Sequence, residues 1–186
     1  MSRPPAQGDV TRATREWVER LYAVVDALVA PVAAAHVPIL ACRAGCHGCC
    51  ADGLTVFAIE AAVIEEHHGD LLARGDAHAP GGCAFLDASG ECRVYAHRPY
   101  VCRTQGLPLR WLERDADGEL AEMRDVCPLN AEGLPVEELP PTDCWTIGPI
   151  EQRLAGRQEA EDGGEGRRVT LRGLFARERR HLPITR

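Results

Sequence analysis

Cys42-Arg-Ala-Gly-Cys46-His-Gly-Cys49-Cys50 is the stretch on which the reading of this 186-residue chain turns. It holds four thiols in nine residues and is too rich in Gly and Cys to form a regular element. Single cysteines are often small buried apolar residues, but four separated only by Arg, Ala, Gly and His cannot make a packed apolar face. The Cys46-x2-Cys49 spacing is the one by which a tight turn presents two sulfurs to one metal ion.

Three further cysteines follow at positions that local structure can return to the first four. Cys83-Ala-Phe-Leu and Glu-Cys92-Arg-Val-Tyr flank the turn-like Asp87-Ala88-Ser89-Gly90, which predicts a short hairpin. With a four-residue loop, Phe85 faces Cys92, and Cys83 and Cys92 share a sheet face. A one-residue slip separates them. Pro99 is a good first helical residue, so Tyr100 to Thr104 is expected to form a turn that carries Cys102 toward the cluster.

Taken together, Cys42-Arg-Ala-Gly-Cys46-His-Gly-Cys49-Cys50, Cys83-Ala-Phe-Leu, Gly90-Glu-Cys92-Arg-Val-Tyr95 and Arg98-Pro99-Tyr100-Val-Cys102-Arg103 resemble the YkgJ-type cysteine-cluster proteins, a family of zinc- or iron-chelating domains. The resemblance implies that Cys42, Cys46, Cys49, Cys50, Cys83, Cys92 and Cys102 belong to one metal-site region. Cys127 and Cys144 lie outside the signature and are read as core or free thiols, or as accessory ligands. The sulfur-rich set suits zinc or an iron-sulfur cluster, and four-ligand zinc leaves three of the seven thiols over.

Composition narrows the chemistry further. The cations are all arginine, which excludes Schiff-base lysines and the lysine of a phosphate loop. Serine occurs only at Ser2 and Ser89, neither a plausible nucleophile. A formal charge of -7 argues against general nucleic-acid binding. The apolar stretch from Leu21 to Leu40 is broken by Asp26, Pro31, His36 and Pro38, so it reads as a core helix and not a membrane span. No secretory signal precedes it, and a cytoplasmic location is expected. In a reducing compartment nine clustered cysteines are metal-binding or catalytic before they are disulfides.

The expected fold class is α+β: a mainly helical small domain with short β-hairpins organised around the cysteine site. Residues 1–8 read as a disordered tail, 9–158 as a single metal-binding domain, 159–166 as a flexible linker and 167–186 as an Arg-rich helix. A first helix is expected from Asp9 or Thr11, facing Trp17, Leu21, Val24, Leu28 and Val32 inward and ending or kinking at Pro31. A second runs from about Val56 to His68 with Val56, Ile59 and Val63 inward. Glu60 is then expected at the surface, and His67-His68 at a helix carboxyl end. A second hairpin is expected around Asp115 to Gly118, and Pro149 is expected to open a helix. Arg98 and Arg103 are candidates to hydrogen-bond thiolate sulfur, and His47 and His97 are candidate ligands.

The leading expectation is thus a metal-binding protein whose partner is a metal ion or cluster. Its rivals are an enzyme with an open coordination position, catalysing hydrolysis or S-adenosylmethionine-dependent methyl transfer, and a metal sensing or delivery protein. Cys42-x3-Cys46-x2-Cys49 also matches the motif of radical S-adenosylmethionine enzymes, but the strand-helix alternation of their barrels is missing. The related flagellin lysine N-methylases carry a similar cluster, yet this chain has no Gly-rich strand-to-helix loop to cradle a nucleoside.

Overall fold

The computed structural model of the chain describes residues 10–43, 45–114 and 118–175. The expected tail at 1–8 and the tip of the second hairpin lie outside those residues. The described chain is α+β, with two apolar cores that share one helix.

Helix α1 (Arg12–Ala35) starts at Thr11, whose hydroxyl accepts the Thr14 N–H and so satisfies one of the donors a helix start leaves open. Pro31 does not end it, and the helix runs one further turn to His36. A proline forfeits one hydrogen bond, and Val32, packed on the core, offsets that loss. The buried face is Thr14, Val18, Leu21, Tyr22, Val25 and Val32. Val24 and Leu28, expected inside, are about half exposed at 47% and 52%. The apolar stripe is wider than the buried one, so the pattern alone misplaces the centre of the face.

Strand β1 (Thr55–Phe57) leads directly into α2 (Ala58–Arg74). Ile59 and Val63 of α2 belong to the first core with α1, while Val56, Ala61 and Ile64 belong to the second. Two faces of one helix are therefore buried, which leaves little of its first half for solvent. The helix continues past His68, where a break in the helical backbone (φ −128°, ψ 25°) kinks it, and ends at Gly75. His67 and His68 thus end the first helical segment, as expected, and a second segment follows directly to Arg74.

Helix α3 (Tyr100–Thr104) follows Pro99 as anticipated. Strands β2 (Leu109–Arg114) and β3 (Leu120–Asp125) form the second expected hairpin. Helix α4 (Pro128–Ala131) is a single turn that begins after Cys127. Strand β4 (Trp145–Thr146) pairs parallel with β2, giving the order β3-β2-β4. Helix α5 (Pro149–Asp162) opens on Pro149, and β5 (Arg168–Thr170) pairs antiparallel with β1.

This last part differs from the expectation. Residues 159–162, expected in a linker, complete α5, and Asp162 accepts the N–H groups of Gly166 and Arg167. Residues 168–174, expected in a helix, form β5 and a 3-10 turn. The arginine count suggested a helix end, whereas Val169, Leu171, Leu174 and Phe175 supply apolar surface to the second core. Burial outweighs helix propensity. The expected helix beyond Phe175 lies outside the described residues. Among the described residues no helix is long and apolar enough to cross a membrane.

Candidate metal centre

The segment 41–50 is built of turns. The Cys46 N–H bonds to the Arg43 carbonyl at 2.9 Å and the Cys50 N–H to the His47 carbonyl at 2.9 Å. Neighbours hold it from outside: the Ala41 N–H donates to Asn130 Oδ1 at 2.7 Å, and the Cys83 N–H donates to the Cys50 carbonyl at 2.9 Å. Gly106 lies against it at φ +92°, where a Cβ would stand 2.5 Å from the Cys42 sulfur. A side chain is therefore excluded both by backbone conformation and by the thiol. Asn130 sits fully buried behind the same sulfur, donating to the Gly106 carbonyl at 2.7 Å and toward Cys42 Sγ at 3.8 Å.

The hairpin that carries Cys83 and Cys92 is shorter than expected. Leu86, not Phe85, stands opposite Cys92, in a single bridge. The cause is Asp87, whose carboxylate accepts the N–H groups of Ser89 and Glu91 at 2.8 and 2.9 Å and holds Glu91 in a loop one residue longer than expected. In a true ladder this slip would put Cys83 and Cys92 on opposite faces. Here the ladder stops at one bridge, and the Cys83 and Cys92 thiols remain within electrostatic reach of each other.

Cys102 is brought to the same side by a buried carboxylate. Glu60 accepts from the Tyr100 N–H at 2.9 Å, the Tyr22 hydroxyl at 3.1 Å and the Phe57 N–H at 3.3 Å. It thus caps both α2 and α3 with one side chain. The expected surface position was wrong, because Tyr22 of α1 and the start of α3 cover this side chain. Burial raises the Glu60 carboxyl above its ordinary range, against the three hydrogen bonds. The signal for this role was its place three residues after Phe57 at a helix start.

All nine cysteines are free thiols. Cys42 and Cys49 are exposed, Cys46, Cys50, Cys92, Cys102 and Cys127 are half-buried, and Cys83 and Cys144 are buried. The Cys50 thiol bonds to Cys49, which lowers Cys49 to about 6 and raises Cys50. Burial pushes Cys102 up to about 12, with Cys83, Cys92, Glu60 and Cys49 adding to the rise. Burial also raises Cys42, opposed by Asn130 and reinforced by Cys46, Cys127 and Cys49. Such mutually repelling thiols suit a metal cation, which binds the deprotonated sulfur. The donor chemistry fits zinc or iron. Among the described residues, no group of three Cys, His, Asp or Glu side chains is already closed around one ion position.

Among the described residues, Arg93, Arg98 and Arg103 bond to carbonyls and a carboxylate, not to sulfur. Arg103, with a side chain only 4% exposed, binds the carbonyls of Ala96 and Arg98 and the Asp26 carboxylate, and lies over the Tyr22 ring. Arg98 binds the carbonyls of Tyr95 and Cys102. Arg93 holds those of Ala84 and Phe85. Their role is to brace the loops that carry Cys83, Cys92 and Cys102, with Arg93 and Arg98 also easing the charge on Cys92. Arg172, which the sequence reading left in a helix, ties the carbonyls of His78 and Gly82 to the Asp52 carboxylate. His47 bonds to the Gly45 carbonyl, and His97 stacks on His67 and meets His68.

No curated protein and no solved structure matches the chain. Residues 41–128 match the family model CxxCxxCC, described as "Putative zinc- or iron-chelating domain". The matched span takes in Cys127 and Pro128 at its end, together with all seven cysteines of the sequence signature. Residues 41–128 of the chain are therefore similar to the CxxCxxCC cysteine-cluster family.

Proposed function

We propose that this protein binds zinc or an iron-sulfur cluster through Cys42, Cys46, Cys49, Cys50, Cys83, Cys92 and Cys102, and that the bound metal orders the loops bearing them. The observation that carries the reading is that the zinc- or iron-chelating family match spans all seven cysteines, which are free thiols on segments tied together by the Cys83 N–H to Cys50 carbonyl bond and the Leu86–Cys92 bridge. A bound cation supplies the charge that three or four thiolates require, and in zinc or iron-sulfur sites cysteine is the usual donor. The chain's own contribution is to bring the sulfurs together through Glu60, Asp87 and Asn130 and to keep the loop carbonyls satisfied through arginine.

Anaerobic purification from metal-replete cells, followed by metal and acid-labile sulfide analysis, tests this. Zinc, or iron with sulfide and visible absorption, is the expected result. A chain that carries neither element overturns the reading. Exposure of Cys42 and Cys49 favours a second reading, metal delivery, over a sealed structural site. Transfer to a chromophoric chelator within minutes supports delivery, and retention over hours supports a structural centre.

A further inference from the structure

Three histidines that the proposed cysteine site does not use meet where α2 passes the chain between Cys92 and Cys102. His67 and His68 stand on α2, and His97 ends the single 3-10 turn Tyr95–His97. Adjacent residues of a regular helix point about 100° apart, and the backbone break at His68 lets both rings reach one partner. The His67 and His97 rings stack with centroids 3.9 Å apart and planes 7° from parallel. His68 Nε2 lies 3.0 Å from His97 Nδ1, with the two rings edge to face. Parallel rings aim their lone pairs side by side and not at one point, so the cluster is laid out for ring-to-ring contact and not for a metal ion.

The charges around the cluster decide how it responds to protons. Glu19 of α1 accepts from His67 Nε2 at 2.7 Å, so that ring has an anionic partner. Arg103 of α3 adds positive charge beside His97, and the Asp26 carboxylate is paired with Arg103. Glu66 and Asp70 of α2 are paired with Arg15 and Arg74. Arg98 turns to the Tyr95 ring and to the carbonyls of Tyr95 and Cys102. Burial lowers His68, and His67 lowers it further; burial, His67, His68 and Arg103 lower His97 against the pull of Glu19. An N–H···N bond needs one nitrogen with a free lone pair. The His68–His97 bond therefore survives one proton on the pair and fails on the second, when N–H faces N–H and two like charges adjoin.

We propose that His67, His68 and His97 form an acid-sensitive latch that clamps the turn between Cys92 and Cys102 to α2, and that a second proton on the His68–His97 pair opens it. The protons come from solvent and return there as pH rises, so the latch is reversible. Histidine is the side chain whose ordinary range places such a response between about pH 5 and 8. Because the folded values of His68 and His97 lie below the ordinary 6.5, the latch is complete above 6.5 and is lost as pH falls through the folded values. Val94 in the second core and the Ala96 carbonyl on Arg103 remain as anchors, so the opening is local.

Hydrogen exchange at histidine Cε1–H, read by mass spectrometry in the full-length protein, gives the titration midpoint of each ring. Backbone amide exchange, corrected for its intrinsic pH dependence, reports on residues 93–99. In wild type, His68 and His97 are expected to titrate below 6.5 in two separate steps. Amide exchange over 93–99 should rise by about threefold or more along the lower step, while α1 stays protected. His97→Gln is expected to abolish that amide step and to raise the His68 midpoint. Rings that titrate together at 6.5, amide exchange that stays flat through the lower step, α1 opening together with 93–99, or the same step surviving in His97→Gln would each overturn the latch. Should His97→Gln fail to fold, the wild-type midpoints and amide step decide on the same terms.

Discussion

The helical core around α1, α2 and α5 and the cysteine region from 41 to 50 solve the same problem in opposite ways. In the first, backbone donors at helix starts are met by side chains within the core: Ile59 N–H by Gln158, Phe57 and Tyr100 N–H by Glu60, Gly148 N–H by Glu151. Apolar residues such as Val18, Val25, Ile59 and Val63 are fully buried. In the second, little apolar surface is buried and order is borrowed from Asn130, Cys83 and Gly106. A segment with so few contacts of its own sits at the low end of local stability unless something cross-links it. A metal bound by its thiolates is such a cross-link.

Metal removal should therefore break the comparison most visibly. Structural zinc contributes on the order of 10 kcal/mol in small domains. Chelation is expected to open 42–50 to proteolysis and lower the melting temperature by more than about 10 °C, by the same coupling of binding to folding. Helical circular dichroism from α1, α2 and α5 should persist. Loss of the helical signal in step with the metal would show that the two regions are one cooperative unit.

Glu60 links the regions, so its removal should cost the next largest amount. Glu60→Ala leaves the N–H groups of Phe57 and Tyr100 and the Tyr22 hydroxyl without their acceptor, at about 1–3 kcal/mol for each group that stays dry. Denaturant midpoints of the metal-loaded protein check this. Glu60→Gln keeps an acceptor and should cost less. The pH dependence follows from the raised Glu60 carboxyl. A folded pKa above the unfolded value means the folded state binds the proton more tightly. That contribution is complete below the unfolded pKa and is lost as pH rises through the folded one. Wild type should lose stability relative to Glu60→Gln as pH rises above the ordinary carboxylate value of 4.5. A difference that stays flat with pH would place the Glu60 carboxyl at its ordinary value.

Arg103→Met sharpens the comparison at the boundary, since it removes donors to Ala96 and Arg98 carbonyls and leaves Asp26 unpaired. Asp26 is half exposed and can be solvated, so a loss of about 2 kcal/mol is expected, mainly from the two carbonyls. Urea unfolding with unchanged metal content would assign Arg103 to bracing; metal loss at unchanged stability would assign it to the centre.

The smallest effect concerns reactivity. In metal-free protein, Cys49, lowered to about 6, should be the first thiol alkylated by iodoacetamide near neutral pH, with its rate levelling off above that value. Cys102, raised to about 12, should be among the last. Peptide mapping after brief labelling reads the order. Equal labelling of the two would mean that the Cys49–Cys50 bond does not hold in solution.

Much of the fold was legible along the chain because it depends on near neighbours. Thr11, Pro99 and Pro149 announced helix starts through rules that act within one turn. The hairpin of β2 and β3 followed from a turn between apolar runs. The Arg172 region was misread because its apolar residues only acquire meaning beside β1 and Phe85, far off in sequence.

The sequence by itself determined the chemistry: a thiolate-rich stretch with metal spacing, an α+β chain, no lysine and no serine nucleophile. Spacing and composition are local properties, and sulfur's preference for zinc and iron needs no fold to express it. Only the tertiary structure decided that Glu60 is buried, that Asp87 shifts the Cys83 hairpin by one residue, and that Asn130 stands behind Cys42. Those outcomes depend on which elements cover one another. A carboxylate is solvated or buried, and a thiol left open or backed by an amide, according to neighbours that lie 40 to 88 residues away.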